Sequence, residues 1–184
     1  GIEFLLKKQK IIIQKGKGKL IDEHTIEVDN HTLVKAKNII IATGSKIAPP
    51  PFPIVHNNHI LTSDTALDLT ELPKHIVIVG GGIIGMEFAF IYARFGVKIT
   101  VIEYMKDILS MLDTDVLREI SRAAKRQGIK IYTKSKVLEI QKGQEKNCIV
   151  RFEQKGKEKE IASDKVLIAV GRIPSYENIG LENI

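Results

Sequence analysis

Tryptophan is absent from this chain, and cysteine occurs once, at Cys148. One cysteine excludes a disulfide within the chain and suits a reducing compartment, so a cytoplasmic location is expected. Aromatic residues make up only 5% of the sequence. That is sparse for a protein that stacks bases, so the net charge of +6 is read as solvated surface, with no nucleic-acid partner expected. The lysines alternate with other residues, as in Lys15-Gly16-Lys17-Gly18-Lys19 and Lys155-Gly156-Lys157, which is the pattern of exposed strands and turns. No apolar run approaches the ~20 residues of a membrane span. The opening GIEFLLKKQK lacks the order of charge, apolar stretch and small-residue cleavage site of a secretion signal. No membrane partner is expected.

A hydrophobic content of 43% over 184 residues is ample for a core. Its most informative segment runs from His75 to Glu103, HIVIVGGGIIGMEFAFIYARFGVKITVIE. Ile76 to Val79 is a short apolar β-branched run suited to a buried parallel strand. Gly80-Gly81-Gly82-Ile83-Ile84-Gly85 then fits G-x-G-x-x-G. The first glycine permits a tight turn, the second lets a pyrophosphate approach the backbone, and the third lets the helix pack close to the strand. Unpaired N–H groups and the helix dipole at that end attract phosphate. The helix is expected to run to about Phe95 and stop at Gly96, with a second strand from Lys98 to Ile102. Glu103 follows the first glycine by 23 residues, near the ~20 of the dinucleotide fingerprint. A carboxylate there accepts hydrogen bonds from ribose hydroxyls and repels a 2′-phosphate. NAD is therefore expected over NADP.

The rest of the chain divides around this unit. Residues 1–45 read as β-rich, with strand-like runs at Lys10–Gln14, Leu20–Ile21, Thr25–Val28 and Thr32–Lys35, and a buried apolar strand at Asn38–Thr43. Residues 46–74, which include Pro49-Pro50-Pro51-Phe52-Pro53, read as linker with one short helix, Thr65–Leu69, capped by Ser63 or Asp64. Asp113 is a plausible N-cap for a helix ending at Gly128, followed by a third parallel strand, Ile129–Tyr132. Beyond it the period changes from 3.6 to 2, so 136–161 is expected to be an antiparallel meander. Lys165–Val170 is expected to complete the parallel sheet. His56-Asn57-Asn58-His59 has a ligand-like interval, but no cysteine or acid lies nearby in sequence. It is read as a polar loop, and no metal site is assigned. Cys148 is read as a packed thiol.

Taken in order, KNIIIATGS at 37–45, GGGIIGMEFA at 80–89, VIE at 101–103 and AVGRIP at 169–174 resemble the flavoprotein (pyridine nucleotide) disulfide reductases. Within them the chain is most similar to the dihydrolipoamide dehydrogenases. The resemblance covers essentially the whole chain. It implies an α/β fold: a Rossmann-like parallel NAD-binding sheet with an antiparallel meander at 75–170, inserted into a partial β-rich FAD domain at 1–45 and 171–184. It implies two cofactors, NAD and FAD. The pyrophosphate loop would be Gly80 to Glu87, including Met86, with Glu87 also near the nicotinamide. Glu103 would hold the adenosine ribose, Val137 would touch adenine, and Gly171 would lie beside the nicotinamide. Gly18 and Thr43-Gly44-Ser45 would contact FAD. On the residues alone, Gly18 reads nearly as well as a turn glycine, and Val137 equally as a meander core residue.

The redox cysteine pair, the G-D flavin motif and the His-Glu pair of such enzymes are not in this sequence, so the chain is expected to be a central fragment. No catalytic residue is assigned, and the fragment is expected to be inactive. For the parent protein the resemblance implies oxidation of dihydrolipoamide by NAD through a redox disulfide and FAD. It also implies lipoyl domains of 2-oxoacid dehydrogenase complexes as partners, and a homodimer formed through a domain absent here. Two alternatives stay open: another NAD-linked FAD disulfide reductase or NADH oxidase-like flavoprotein, and a non-catalytic NAD-binding module.

Overall fold

The computed structural model describes residues 1–55, 58–144 and 147–184. Two compact units emerge, one formed by Gly1–Lys46 with Ile173–Ile184, the other by Ile47–Arg172. The interval His56-Asn57 lies outside the described residues.

The first unit opens with helix α1 (Ile2–Lys8). Glu3 in its first turn and Lys7 and Lys8 in its last complement the helix dipole. An antiparallel sheet follows, β1 (Gly18–Asp22), β2 (Thr25–Val28) and β3 (Thr32–Lys35), in that spatial order. The short turns between them, with Asp29 and Asn30 at positive φ, set this register. The C-terminal return packs on β1: the Leu20 N–H donates to the Ile179 carbonyl at 2.7 Å, and Asn183 donates to the Leu20 carbonyl at 2.7 Å. Two expectations are corrected here. Lys10–Gln14 is not a strand; the chain leaves α1 and runs irregularly to β1. Asn38–Thr43 is not a buried strand; it has no ladder partner among the described residues, and Ile40 is 91% exposed. An apolar β-branched run becomes a buried strand only where neighbouring strands and a covering layer exist. A short strand, β4 (Ser45–Ile47), ends this part of the chain.

The second unit is a parallel sheet covered on both faces. Its elements are β5 (Ile60–Leu61), α2 (Ser63–Ala66), β6 (His75–Val79), α3 (Ile83–Arg94), β7 (Lys98–Ile102), α4 (Thr114–Arg126) and β8 (Lys130–Tyr132). Next come the meander strands β9 (Ser135–Lys142), β10 (Cys148–Gln154) and β11 (Lys157–Ser163), then β12 (Lys165–Ile168). The sheet order is β5-β12-β6-β7-β8, all parallel. The βαβαβ unit, its completion by β12 and the meander stand as the periodicity predicts. Strand β13 (Arg172–Pro174) pairs with β4 where the chain returns.

Alternation along β6 explains its unbroken hydrophobic run. Ile76 and Ile78 point into a core with Met86, Phe88, Ala89 and Tyr92 of α3 and Ala124 of α4. Val77 and Val79 point the other way, into a core with Ile140, Cys148, Val150 and Phe152 of the meander. Each such side chain contributes about 1.5–3 kcal/mol by burial. Cys148 is fully buried there, as read from the sequence. On the outer meander face, Arg151 bridges Glu139, Glu158 and Glu160, its cross-strand neighbours. These carboxylates raise its pKa, the Glu158 hydrogen bond foremost.

The stretch 46–74 differs from a plain linker. Ile54 bridges to Ile140, and β5 pairs with β12 as an edge strand. The short helix is Ser63–Ala66, beginning two residues before the expected Thr65, and Thr62, not Ser63 or Asp64, caps it in a capping box with Thr65. The Tyr92 hydroxyl, whose pKa is raised by burial, donates to the Ala66 carbonyl at 2.6 Å and ties α2 to α3.

Candidate nucleotide-binding site

The site forms where β6, β7 and β12 end, at the point where the chain order in the sheet reverses. In open α/β sheets that is where ligands bind. Gly80 closes β6 at φ +108°, and a Cβ there would collide with the Ala169 carbonyl at the end of β12. Gly85, on the first turn of α3, lies against the Gly80 carbonyl, where a Cβ would also collide. These two glycines are required by packing.

Gly82 is different. It has ordinary extended backbone, φ −74° and ψ −170°, as the N-cap of α3. An added Cβ would meet nothing within 4 Å. No internal contact calls for glycine there. The α3 N-terminus has no side-chain cap and no acid in its first turn, so its unpaired N–H groups and positive dipole end face open space. A bare backbone beside an uncapped helix start suits a pyrophosphate.

Glu103 lies just beyond β7 and is 9% exposed. One carboxylate oxygen accepts the Gly81 N–H at 2.5 Å, and the other accepts the Met105 N–H at 2.6 Å. These bonds hold the carboxylate against the glycine turn. Each oxygen keeps a further lone pair, the capacity needed for vicinal ribose hydroxyls.

Residues 104–112 form a strap over this turn. Ile108 and Leu109 are buried at its middle, 3% and 6% exposed. The Leu109 N–H donates to the Gly81 carbonyl at 2.8 Å, and Leu109 sits at φ +48°, a left-handed conformation costly for leucine. Gly81 has no room for a Cβ, because Ile108 lies 2.8 Å and Glu103 3.2 Å from where it would be. Gly81 is therefore bonded through both its N–H and its carbonyl to the segment after β7.

A cleft of about 800 Å³ opens above, within the size range of cofactor sites. Gly80, Gly82, Ile83, Ile84, Glu103, Val137 and Gly171, all named from the sequence, line it. Gly81 lies beneath it. Gly85 and Met86 are buried in α3 and serve packing, while Glu87 is exposed on the same helix. Gly18, Thr43, Gly44 and Ser45 belong to the first unit. There Gly18 begins β1 and is not a turn residue, and the Thr43 hydroxyl donates to the Ser175 carbonyl.

The sequence reading missed the strap and two flanking walls. Tyr104, Met105, Asp107, Ser110 and Met111 line the cleft, as do Phe52 from the proline-rich stretch and Lys136 from β9. Position alone could have flagged the strap: an aperiodic interval directly after a central parallel strand is where α/β folds place ligand loops.

Among the described residues no group of three or more His, Cys, Asp and Glu could hold a metal ion. Nor is any helix among them long and apolar enough to cross a membrane.

A family model, the pyridine nucleotide-disulphide oxidoreductases, matches residues 1–183. The chain belongs to this family. The dihydrolipoamide dehydrogenase of Chaetomium thermophilum is 40% identical over 190 residues, covering all of this chain and 38% of that protein. The mitochondrial dihydrolipoyl dehydrogenase of Schizosaccharomyces pombe is 36% identical, covering all of this chain and 37% of that protein. The solved HOCl-induced flavoprotein disulfide reductase RclA of Escherichia coli superposes with a TM-score of 0.79 at 31% identity, over 99% of this chain and 43% of that one. The chain thus spans about 40% of the length of these relatives. Its mixed α/β architecture is that of the flavoprotein disulfide reductases.

Proposed function

We propose that the second unit is the NAD-binding platform of a dihydrolipoamide dehydrogenase. The observation that carries this is Gly82, a glycine that packing does not require, standing at an uncapped helix start on the cleft that Glu103 also lines. In this reading the α3 N-terminus and the Gly82 backbone hold the pyrophosphate. Glu103 holds the adenosine ribose, and Gly171 and Val137 border the two ends of the dinucleotide. When bound, NAD supplies hydride acceptance; this chain supplies position and exclusion of water. Glu103 favours NAD over NADP, because a 2′-phosphate beside a buried carboxylate is repelled.

For the parent protein the reading extends to FAD, with Gly18 and Thr43-Gly44-Ser45 on the flavin side, and to oxidation of a dithiol by NAD. The names and identities of the curated relatives support this substrate class. Lipoyl domains as partners and a homodimer follow from the same reading, as does a reducing compartment, cytoplasmic or, as for the S. pombe relative, mitochondrial. The comparable likeness to RclA supports a second reading, another flavoprotein disulfide reductase of different substrate. Both readings assign the cleft to a dinucleotide. Calorimetric titration of the chain with NADH and with NADPH tests that assignment. Binding of NADH with clear preference over NADPH is expected; equal affinities would remove the role given to Glu103.

A further inference from the structure

The chain contains three methionines and one cysteine. Met86 is 2% exposed and Cys148 fully buried, whereas Met105 and Met111 are 50% and 63% exposed. Both exposed methionines line the cleft, on the two flanks of the strap. All the solvent-facing sulfur of this chain is therefore at one rim.

The backbone beneath both side chains is held. The Met105 N–H donates to Glu103 at 2.6 Å, and its carbonyl accepts from the Lys134 N–H at 2.8 Å. Met111 lies in a turn closed by the Leu112 N–H on the Leu109 carbonyl at 2.9 Å, and Leu109 is itself bonded to Gly81. A chemical change at either sulfur is thus delivered into the cleft wall.

We propose that Met105 and Met111 form an oxidation-sensitive rim that lowers dinucleotide affinity when a hydroperoxide converts them to sulfoxides. The inference rests on the cleft being the NAD site. In the step, the thioether sulfur attacks one peroxide oxygen. The O–O bond breaks and an S–O bond forms. Sulfur loses two electrons, and the peroxide is reduced to an alcohol, or to water for hydrogen peroxide. The proton on the transferred oxygen ends on the leaving oxygen. The product is polar, chiral and a strong acceptor. It stands in a wall that already carries the carboxylates of Glu103 and Asp107, facing an anionic ligand. Thiol-driven methionine sulfoxide reductases reverse the change.

The test uses the 184-residue chain, hydrogen peroxide followed by its removal, peptide mass spectrometry, and NADH titration before and after. The expected result is sulfoxide at Met105 and Met111 but not Met86. The Kd for NADH should rise about tenfold, the scale of one poorly paired polar group, and return after sulfoxide reductase treatment. In the Met105→Leu/Met111→Leu double variant, peroxide should leave that variant's own Kd where it was. Full oxidation of both residues with an unchanged Kd would overturn the inference. So would an equal peroxide effect in the double variant. If the untreated chain failed to bind NADH, the cleft assignment would fall and take this inference with it.

Discussion

Substitution of Gly82 by alanine separates a ligand role from a packing role. The backbone at Gly82 is extended, φ −74° and ψ −170°, and open to any L-residue. A Cβ there has no neighbour within 4 Å, so no overpacking cost arises. Replacing glycine stabilises by about 0.4–1 kcal/mol through the unfolded chain, while alanine is a poorer N-cap than glycine by a similar amount. The two nearly cancel, and Gly82→Ala should unfold within about 0.5 kcal/mol of the parent chain. Binding should behave differently. A methyl group where a pyrophosphate approaches the backbone costs about 1–3 kcal/mol of overlap, or about five- to 150-fold in Kd. Gly85→Ala is the control of opposite sign, because its Cβ strikes the Gly80 carbonyl inside a close helix–strand contact. That variant should lose about 2–3 kcal/mol of stability. Urea unfolding gives the first quantity and NADH fluorescence titration the second. If Gly82→Ala binds NADH like the parent, or loses stability as Gly85→Ala does, the reasoning is refuted.

Glu103→Arg should reverse the NADH to NADPH affinity ratio by adding a phosphate partner in place of a carboxylate. Because Glu103 also accepts the Gly81 and Met105 N–H groups, the variant should lower the melting temperature too, so the ratio is the readout. An unshifted ratio would remove the specificity role. His75 sits at the opposite end of β6, with Nδ1 donating to the Ala162 carbonyl at 3.1 Å and Nε2 accepting from Thr100 at 3.0 Å. Burial, then Lys98, holds its pKa below the ordinary imidazole value. The unfolded chain therefore binds the extra proton first. Stability should be full above about pH 6.5 and decline as pH falls toward the lowered value. His75→Gln should flatten that decline in melting temperature between pH 7.5 and 5.5, and identical slopes would refute it. Finally, the chain supplied with FAD and dihydrolipoamide should reduce no NAD, since thiol–disulfide exchange needs a second sulfur and the only cysteine, Cys148, is buried. Enzyme-like turnover that survives Cys148→Ser would contradict this.

Local patterns determined the parallel βαβαβ core of the second unit and its meander. The β-branched run of β6, the spacing of Gly80, Gly82 and Gly85, the stop at Gly96 and the change of period after Tyr132 are properties of neighbouring residues. Each dictates its element with little help from afar. Glu103 was legible because strand length and the fingerprint interval place it. Tertiary structure decided the rest. The strap has no period to read, and its left-handed Leu109 is held by a hydrogen bond to Gly81, 28 positions earlier. That same closure brings Met105 and Met111 to the cleft, which Phe52 lines from the distant proline-rich stretch. The run at Asn38–Thr43 has strand chemistry yet forms no strand, because ladder partners and a covering layer are supplied by other parts of a fold and not by the run itself. Composition and period assign residues to elements; which elements meet, and what their irregular ends touch, is settled only when distant segments pack.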